Sequence, residues 1–269
     1  MTVPIVQVDA FANLPFTGNP AAVTLLEEEP SASWMQRLAA EMNLSETAFL
    51  WPEDEGYGLR WFTPETEVDL CGHATLAAAH VLFESGRVDE EETITFATDS
   101  GPVECEQDEP WIRMAFPSHP PYSREEDAGR VAQALDQKPT WVGENRLDRF
   151  AVLDEETAVR QLEVDLDAVR QLGGRGLIVT APADDESEVD FVSRFFAPSA
   201  GVDEDPVTGS AHCALGPYWA NRLDQSEVVG RQVSKRGGMV RVRVTDEGVD
   251  LEGQAVTVFD AELREIAEP

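Results

Sequence analysis

The chain has 269 residues, and 52 acidic against 20 basic side chains give it a formal net charge of −32 at pH 7. A nucleic acid would repel such a chain, and no apolar run approaches the ~20 residues of a membrane span. The first residues also lack the basic start and long apolar segment of a signal peptide. We therefore expect a cytoplasmic protein with no nucleic-acid or membrane partner. Since concentrated salt screens self-repulsion, we also expect a halophilic source.

The cysteines and glycine motifs argue against cofactors. Cys71, Cys105 and Cys213 are odd in number and lack C-x-x-C spacing, so neither a disulfide framework nor a zinc site is indicated. The Gly-x-Gly in the stretch 174–176 lacks the further spacing of a dinucleotide fingerprint, and there is no P-loop. We expect neither a metal nor an organic cofactor.

The first half of the chain is predicted to be rich in strands. Alternating or continuous apolar runs predict strands at 4–11, 21–26, 46–51, 58–62, 93–97, 101–105 and 111–116. Apolar residues at helical spacing predict a helix over 33–42, with Ser31 or Ser33 as its N-cap and Asn43 near its end. Glu46 therefore falls at a junction between a helix and a strand, where a side chain can be held rigidly.

Three prolines between Pro117 and Pro121 predict a linker, so we expect two lobes, 1–118 and 119–269, with the last strand as a candidate to return to the first lobe. In the second lobe we predict helices at 125–135, 154–172 and 211–223, and strands at 149–153, 176–180, 190–196, 228–229, 232–233, 239–244, 249–251 and 254–259.

The stretch from Phe62 to Ala74 resembles the stretch from Phe196 to Ala211. The paired positions are Phe62 with Phe196, Pro64 with Pro198, Val68 with Val202, and Asp69 with Asp203. Each copy runs from a strand end through a polar loop to a glycine, Gly72 or Gly209, that precedes a helix. Such a glycine lets a ligand approach, and the first N–H groups of a helix attract an anion. The repeat predicts two helix starts that converge on one acidic ligand.

Acid–base candidates cluster around these two glycines. They are Glu46, Asp69, Cys71, His73, Asp203, Glu204, Asp205 and Ser210. Cys71 and His73 flank the first glycine, whereas Asp205 and Ser210 bracket the second. A Ser-His-Asp triad can be drawn from these residues, but the serine has no G-x-S-x-G elbow, so hydrolysis is disfavoured. The remaining histidines lack such a context and are expected to be packed or surface residues: His80, His119 and His212.

Several motifs together resemble those of one family. They are Asp9-Ala-Phe11, Gly18-Asn-Pro20, Met42-Asn-Leu-Ser-Glu-Thr47, Cys71-Gly-His-Ala-Thr75 and Glu204-Asp-Pro-Val-Thr-Gly-Ser210, with Arg236-Gly-Gly238 as a later one. In this order they resemble the PhzF family, the phenazine-biosynthesis isomerase-like proteins. The resemblance covers essentially the whole chain.

The resemblance implies an α+β fold of the diaminopimelate epimerase type. Two pseudo-symmetric lobes would each wrap a β-barrel-like sheet around a central helix, with the active site between them, and a homodimer would be plausible. It also implies an isomerase without cofactor, in which a glutamate moves a proton between carbons of a small carboxylate. The matching catalytic positions are Glu46, His73, Asp205 and Ser210, and the matching substrate-binding positions are Ser45, Gly72, Thr208 and Gly209.

Two alternatives remain open at this point. The related epimerases use two cysteines, whereas this chain keeps Cys71 and has the Asp205-Pro206 region near the second position, so two-cysteine epimerisation is not expected. A racemase or epimerase that pairs Cys71 with a carboxylate base is one alternative. A binding protein that retains the carboxylate site without catalysis is the other.

Overall fold

The computed structural model describes residues 3–264. The chain divides into two units, unit 1 with Met1–Ala115 and Glu252–Pro269, and unit 2 with Phe116–Leu251. The sequence predicts lobes at 1–118 and 119–269. The last strand is thus counted in the second lobe, with the possibility that it returns to pair in the first. In the structure that strand belongs to unit 1, where it pairs with the first strand.

Unit 1 is built mainly of strands. They are β1 (Val3–Ala10), β2 (Asn19–Leu25), β3 (Glu46–Pro52), β4 (Tyr57–Phe62), β5 (Glu67–Val68), β6 (Ile94–Ala97), β7 (Val103–Asp108), β8 (Trp111–Phe116, of which Phe116 falls in unit 2) and the returning strand β18 (Ala255–Leu263). The interior of β3 is buried over its whole length. A strand with a continuous buried run is typical of a sheet that is covered on both faces.

Two helices complete unit 1, α1 (Ala32–Met42) and α2 (Gly72–Glu84). Ser31 is the N-cap of α1 and accepts a hydrogen bond from the Trp34 N–H, while Asn43 ends the helix in the left-handed conformation. Both ends of α1 are therefore confirmed as predicted. Helix α2 is apolar on almost all sides and buried along its length, as expected for the central helix of a core.

Unit 2 contains four α-helices within residues 116–251. They are α3 (Ala128–Leu135), α4 (Glu156–Arg160), α5 (Leu166–Leu172) and α6 (Gly209–Leu223). Its strands are β9 (Tyr122–Ser123), β10 (Trp141–Glu144), β11 (Arg149–Val152), β12 (Leu177–Pro182), β13 (Phe191–Ala197), β14 (Val202–Asp205), β15 (Glu227–Gln232), β16 (Gly238–Val244) and β17 (Val249–Gly253, which continues into unit 1).

The prediction of one helix in unit 2 is wrong. The stretch 154–172 forms two short helices, α4 and α5, instead of one. The break has a local cause, because the Asp165 carboxylate accepts hydrogen bonds from the N–H groups of Asp167 and Ala168 and so caps a new helix. An aspartate that binds nearby backbone N–H groups favours a helix start over a helix interior.

The two units repeat one order of strand pairing. In unit 1, β1 pairs antiparallel with β2, β2 parallel with β3, β3 antiparallel with β4, β4 antiparallel with β5 and parallel with β6, and β6 antiparallel with β7. In unit 2 the same order runs from β10 to β16. In each unit the long buried helix, α2 or α6, follows the short fifth strand of this order. The predicted α+β class and the duplication are confirmed. Within residues 3–264, no helix combines the length and hydropathy of a membrane span.

Candidate active site

Glu46 and His73 meet within unit 1. Glu46 is the first residue of β3, and His73 lies in the first turn of α2. His73 Nε2 lies 3.1 Å from Glu46 Oε2, with only 6% of the histidine side chain and 19% of the glutamate side chain exposed. The two groups are close enough for an ion pair, although Nε2 lacks the alignment of a hydrogen bond with any group of residues 3–264. The predicted acid–base pair is thus in contact.

The other ring nitrogen of His73 faces a thiol and an amide. His73 Nδ1 lies 3.4 Å from Cys71 Sγ and 3.3 Å from Asn19 Nδ2. Both neighbours are buried. The imidazole therefore stands between the Cys71 thiol on one side and the Glu46 carboxylate on the other.

The electrostatics of this cluster favour a charged histidine. Burial, followed by the negative charge of Glu46, raises the pKa of the Cys71 thiol above its usual value. Burial lowers the pKa of His73, but its electrostatic and hydrogen-bond interactions with Cys71 and Glu46 outweigh that effect, so that this pKa stands well above its usual value of 6.5. Cys71 and Glu46 therefore favour the protonated form of His73, whereas burial favours the neutral form of the Cys71 thiol.

Both long buried helices begin without a capping side chain. Cys71 is the N-cap of α2 and Thr208 is the N-cap of α6, and neither side chain caps its helix within the described residues 3–264. The first N–H groups of a helix have no partner inside the helix and attract negative charge. Each helix start, which follows the predicted glycine motif, can therefore accept an anionic group.

The loop before α6 is held by a buried glutamine. Gln232 Nε2 donates to the Asp205 carbonyl at 2.7 Å, and Gln232 Oε1 accepts from the Thr208 N–H at 3.0 Å. The Thr208 hydroxyl donates to the Asp205 carboxylate. These bonds fix the direction of the Asp205 side chain.

Ser210 is held by an arginine that the sequence did not single out. Arg175 Nη2 donates to Ser210 Oγ at 2.9 Å, and the same guanidinium binds both carboxylate oxygens of Asp148 at 3.0 and 2.6 Å. Burial raises the pKa of Asp148, whereas its bonds to Arg175 oppose that shift. Because Ser210 Oγ accepts from Arg175, its own proton is available for donation elsewhere.

The duplicated pairing identifies the counterparts of the unit 1 cluster in unit 2. Thr47 pairs with Phe62 in unit 1, and Leu177 pairs with Phe196 in unit 2, so the position of Glu46 corresponds to Gly176. The two N-cap positions match Cys71 with Thr208. The second epimerase position, expected near Asp205 and Pro206, then falls on Thr208, the residue immediately before α6.

Other candidates have structural roles or are exposed. Glu204 forms a bidentate ion pair with Arg194 at 2.6 and 2.9 Å, and Asp69 and Asp203 are exposed. Ser45 precedes β3 and is half-buried. Asn19 belongs to a sequence motif but has no predicted role, and the buried residues Asp148 and Gln232 lie outside the predicted set of site residues. Only their positions in the folded chain reveal that they hold the site.

Comparison with known proteins identifies the family. Residues 8–261 match the PhzC-PhzF family, described as phenazine biosynthesis-like proteins. The chain belongs to this family. An uncharacterised isomerase of Halalkalibacterium halodurans is 49% identical over 263 residues, with 98% of this chain and 99% of the relative covered. An uncharacterised isomerase of Pseudomonas aeruginosa is 46% identical over 259 residues, with 96% of this chain and 97% of the relative covered.

Solved structures agree with this assignment. The crystal structure of a PhzF-family protein from Enterococcus faecalis superimposes with a TM-score of 0.94 at 44% identity, covering 98% of this chain and 100% of that one. A hydroxyproline epimerase from Agrobacterium vitis shares the fold alone. It is 11% identical with a TM-score of 0.62, and the match covers 97% of this chain and 92% of that one. The predicted family and the epimerase-like fold are confirmed, and the names of the relatives support the predicted enzyme class, an isomerase.

Proposed function

We propose that this protein is a PhzF-type isomerase in which Glu46 moves a proton between two carbons of a small carboxylate, without metal or organic cofactor. The observation that carries the proposal is the 3.1 Å contact between Glu46 Oε2 and His73 Nε2 beside the uncapped start of α2. The contact supports the proposal because a candidate base, a candidate orienting group and an anion-accepting helix start lie within one unit.

The reaction needs a single base. The Glu46 carboxylate takes a proton from an acidic C–H bond, and the electron pair of that bond shifts into the conjugated system of the substrate. The carboxylic acid then returns the proton to another carbon, so the catalyst is regenerated and no atom is gained or lost. His73 orients the carboxylate, and the start of α2 suits the charge of the substrate.

The unit 2 residues enter the proposal through the family motifs. Asp205 and Ser210 occupy catalytic positions, and Thr208 and Gly209 occupy substrate-binding positions, in the motif that resembles the family. The hydrogen bond from Arg175 to Ser210 Oγ supports a donor role for the serine hydroxyl, because the oxygen already accepts a proton from the arginine.

Carbon–hydrogen exchange tests the proposal. The protein is incubated in D₂O with a panel of small unsaturated carboxylates, and ¹H NMR follows the loss of C–H signals and the formation of isomers. Glu46→Gln keeps the shape of the side chain and removes the base, so we expect the rate to fall by at least about 10²-fold, within the range for loss of an acid–base group.

The matched control is Glu41→Gln, which removes an exposed carboxylate of α1. This control should retain the wild-type rate. Equal rates for wild type and Glu46→Gln on a substrate that turns over would refute the glutamate mechanism. Asp205→Asn and Ser210→Ala, assayed alongside, test the two unit 2 positions. Tight binding of a carboxylate without exchange or isomerisation across the panel would instead support the binding-protein alternative.

A racemase that uses Cys71 has weaker support. The counterpart of Cys71 at the start of α6 is Thr208, whose hydroxyl is a poor base, and burial raises the pKa of the Cys71 thiol. Cys71→Ala distinguishes the two mechanisms, since it should abolish a cysteine-based reaction and leave most of a glutamate-based one.

A further inference from the structure

Three groups that bind transition metals converge at the start of α2. One ligand atom from each of Glu46, Cys71 and His73 lies within 4.8 Å of the other two, and within residues 3–264 this is the only such group of three or more. Sequence spacing does not reveal it, because Glu46 lies in a different motif from Cys71 and His73. His73 Nε2 is buried and has no hydrogen-bond partner among the described residues.

The spacing of these atoms is close to that of a metal site. Ligand atoms bonded at about 2.0–2.3 Å to a tetrahedral zinc ion lie roughly 3.3–3.6 Å from one another. Cys71 Sγ lies 3.4 Å from His73 Nδ1, and Glu46 Oε2 lies 3.1 Å from His73 Nε2. Because a single ion can bind only one ring nitrogen, one of the outer side chains must rotate. Glu46 is the least buried of the three and is the side chain best able to do so.

The donor set selects the kind of ion. Ca²⁺ and Mg²⁺ prefer oxygen ligands, whereas a thiolate, an imidazole and a carboxylate together suit Zn²⁺. Three protein ligands leave a fourth tetrahedral position for water or for the carboxylate of a ligand.

We propose that Glu46, Cys71 and His73 form a zinc site whose occupation inhibits the enzyme. Zn²⁺ binds the sulfur of Cys71, and the thiol proton leaves to solvent as the zinc–sulfur bond forms. One ring nitrogen of His73, which loses its proton to solvent as it binds the ion, and the Glu46 carboxylate complete the protein ligands. The bound carboxylate can no longer take a proton from carbon, so zinc and catalysis exclude each other. The inhibitory consequence rests on the proposed role of Glu46, whereas the binding site does not.

Binding is tested without any substrate. Isothermal titration calorimetry measures ZnCl₂ binding to the metal-free protein in concentrated KCl, with excess Mg²⁺ present to occupy exposed carboxylates. We expect one zinc ion per chain. Cys71→Ala, His73→Asn and Glu46→Gln should each weaken binding by at least about tenfold. Cys105→Ala, which removes a buried cysteine of β7, is the matched control and should bind zinc as the wild type does.

Cobalt provides a second measurement of the same ligands. Co²⁺ bound to a thiolate absorbs in the near ultraviolet by charge transfer from sulfur, and the band should appear in wild type and Cys105→Ala but not in Cys71→Ala. Circular dichroism confirms that each variant is folded. No zinc binding, or equal binding by wild type and Cys71→Ala, would overturn the site.

The exchange assay separates this inference from the proposed function. Zinc at a concentration that saturates the site should stop the exchange catalysed by wild type. If zinc binds at this site without inhibition, the inhibitory role is wrong. If Glu46→Gln is fully active yet binds zinc more weakly, the proposed mechanism fails and the metal site stands.

Discussion

Acidification should destabilise unit 2 through one buried histidine. His212 lies on α6 with no exposed surface, and its Nδ1 donates to the Thr208 carbonyl at 2.8 Å. Its Nε2 is buried and has no hydrogen-bond partner within residues 3–264, and its ring lies 6.0 Å from that of Phe191. In the described part of the chain, a second proton on Nε2 would therefore find no hydrogen-bond acceptor. Burial lowers the pKa of His212 to about 4.

The sign and size of the effect follow from this pKa. Unfolding returns His212 to its usual pKa of 6.5, so the unfolded chain takes up a proton at a higher pH than the folded chain. The contribution of neutral His212 to the free energy of unfolding is fully present above pH 6.5 and is lost as the pH falls towards 4. At about 1.4 kcal/mol for each pH unit, this histidine alone accounts for about 3 kcal/mol.

The loss of unfolding free energy can be measured by urea unfolding at constant high salt. Circular dichroism follows the unfolding at pH values between 7.5 and 4. His212→Asn keeps a donor near the Thr208 carbonyl and cannot titrate in this range. The fall in unfolding free energy should therefore be smaller in the variant than in wild type by about 3 kcal/mol. His119→Asn is the control and should leave the wild-type fall unchanged. Parallel pH curves for wild type and His212→Asn would refute the reasoning.

Two further predictions concern packing and charge. Gly176→Ala would bring a Cβ within 2.5 Å of the Phe196 carbonyl oxygen and should cost about 1–3 kcal/mol in thermal unfolding. Gly129→Ala in α3, where a Cβ meets no described atom within 4 Å, should stabilise slightly, and equal effects would contradict the packing argument. The net charge of −32 predicts that removal of KCl lowers the thermal midpoint and dissociates the expected homodimer. Light scattering and circular dichroism that do not change on desalting would contradict this prediction.

Most of the fold follows from local sequence patterns. Apolar periodicity locates α1 and β3, and Ser31 and Asn43 mark the ends of α1 because their side chain and backbone suit those positions. The error at 154–172 has a physical cause, since the helical spacing there continues through the Asp165 cap. The sequence does not predict the strand β10 (Trp141–Glu144), because its second half consists of Gly143 and Glu144, residue types that are depleted in strands.

The site was predictable only in part. The glycine motifs point to His73 and Ser210 directly, because both residues adjoin a helix-start glycine in the sequence. The partners that hold them come from distant strands and loops, as Arg175 does for Ser210 and Asn19 does for His73. No local pattern encodes such contacts, since they depend on strand register across the sheet.

The duplicated framework bears on the proposed single-base mechanism. The counterpart of Glu46 in unit 2 is Gly176, where a Cβ would lie 2.8 Å from the Phe195 ring. A carboxylate cannot be introduced there without displacing that ring. The counterpart of Cys71 is Thr208, whose hydroxyl is already bonded to Asp205. The acid–base cluster of unit 1 therefore has no equivalent in unit 2 at matching positions. This asymmetry supports the proposed reaction, in which the same carboxylate takes and returns the proton.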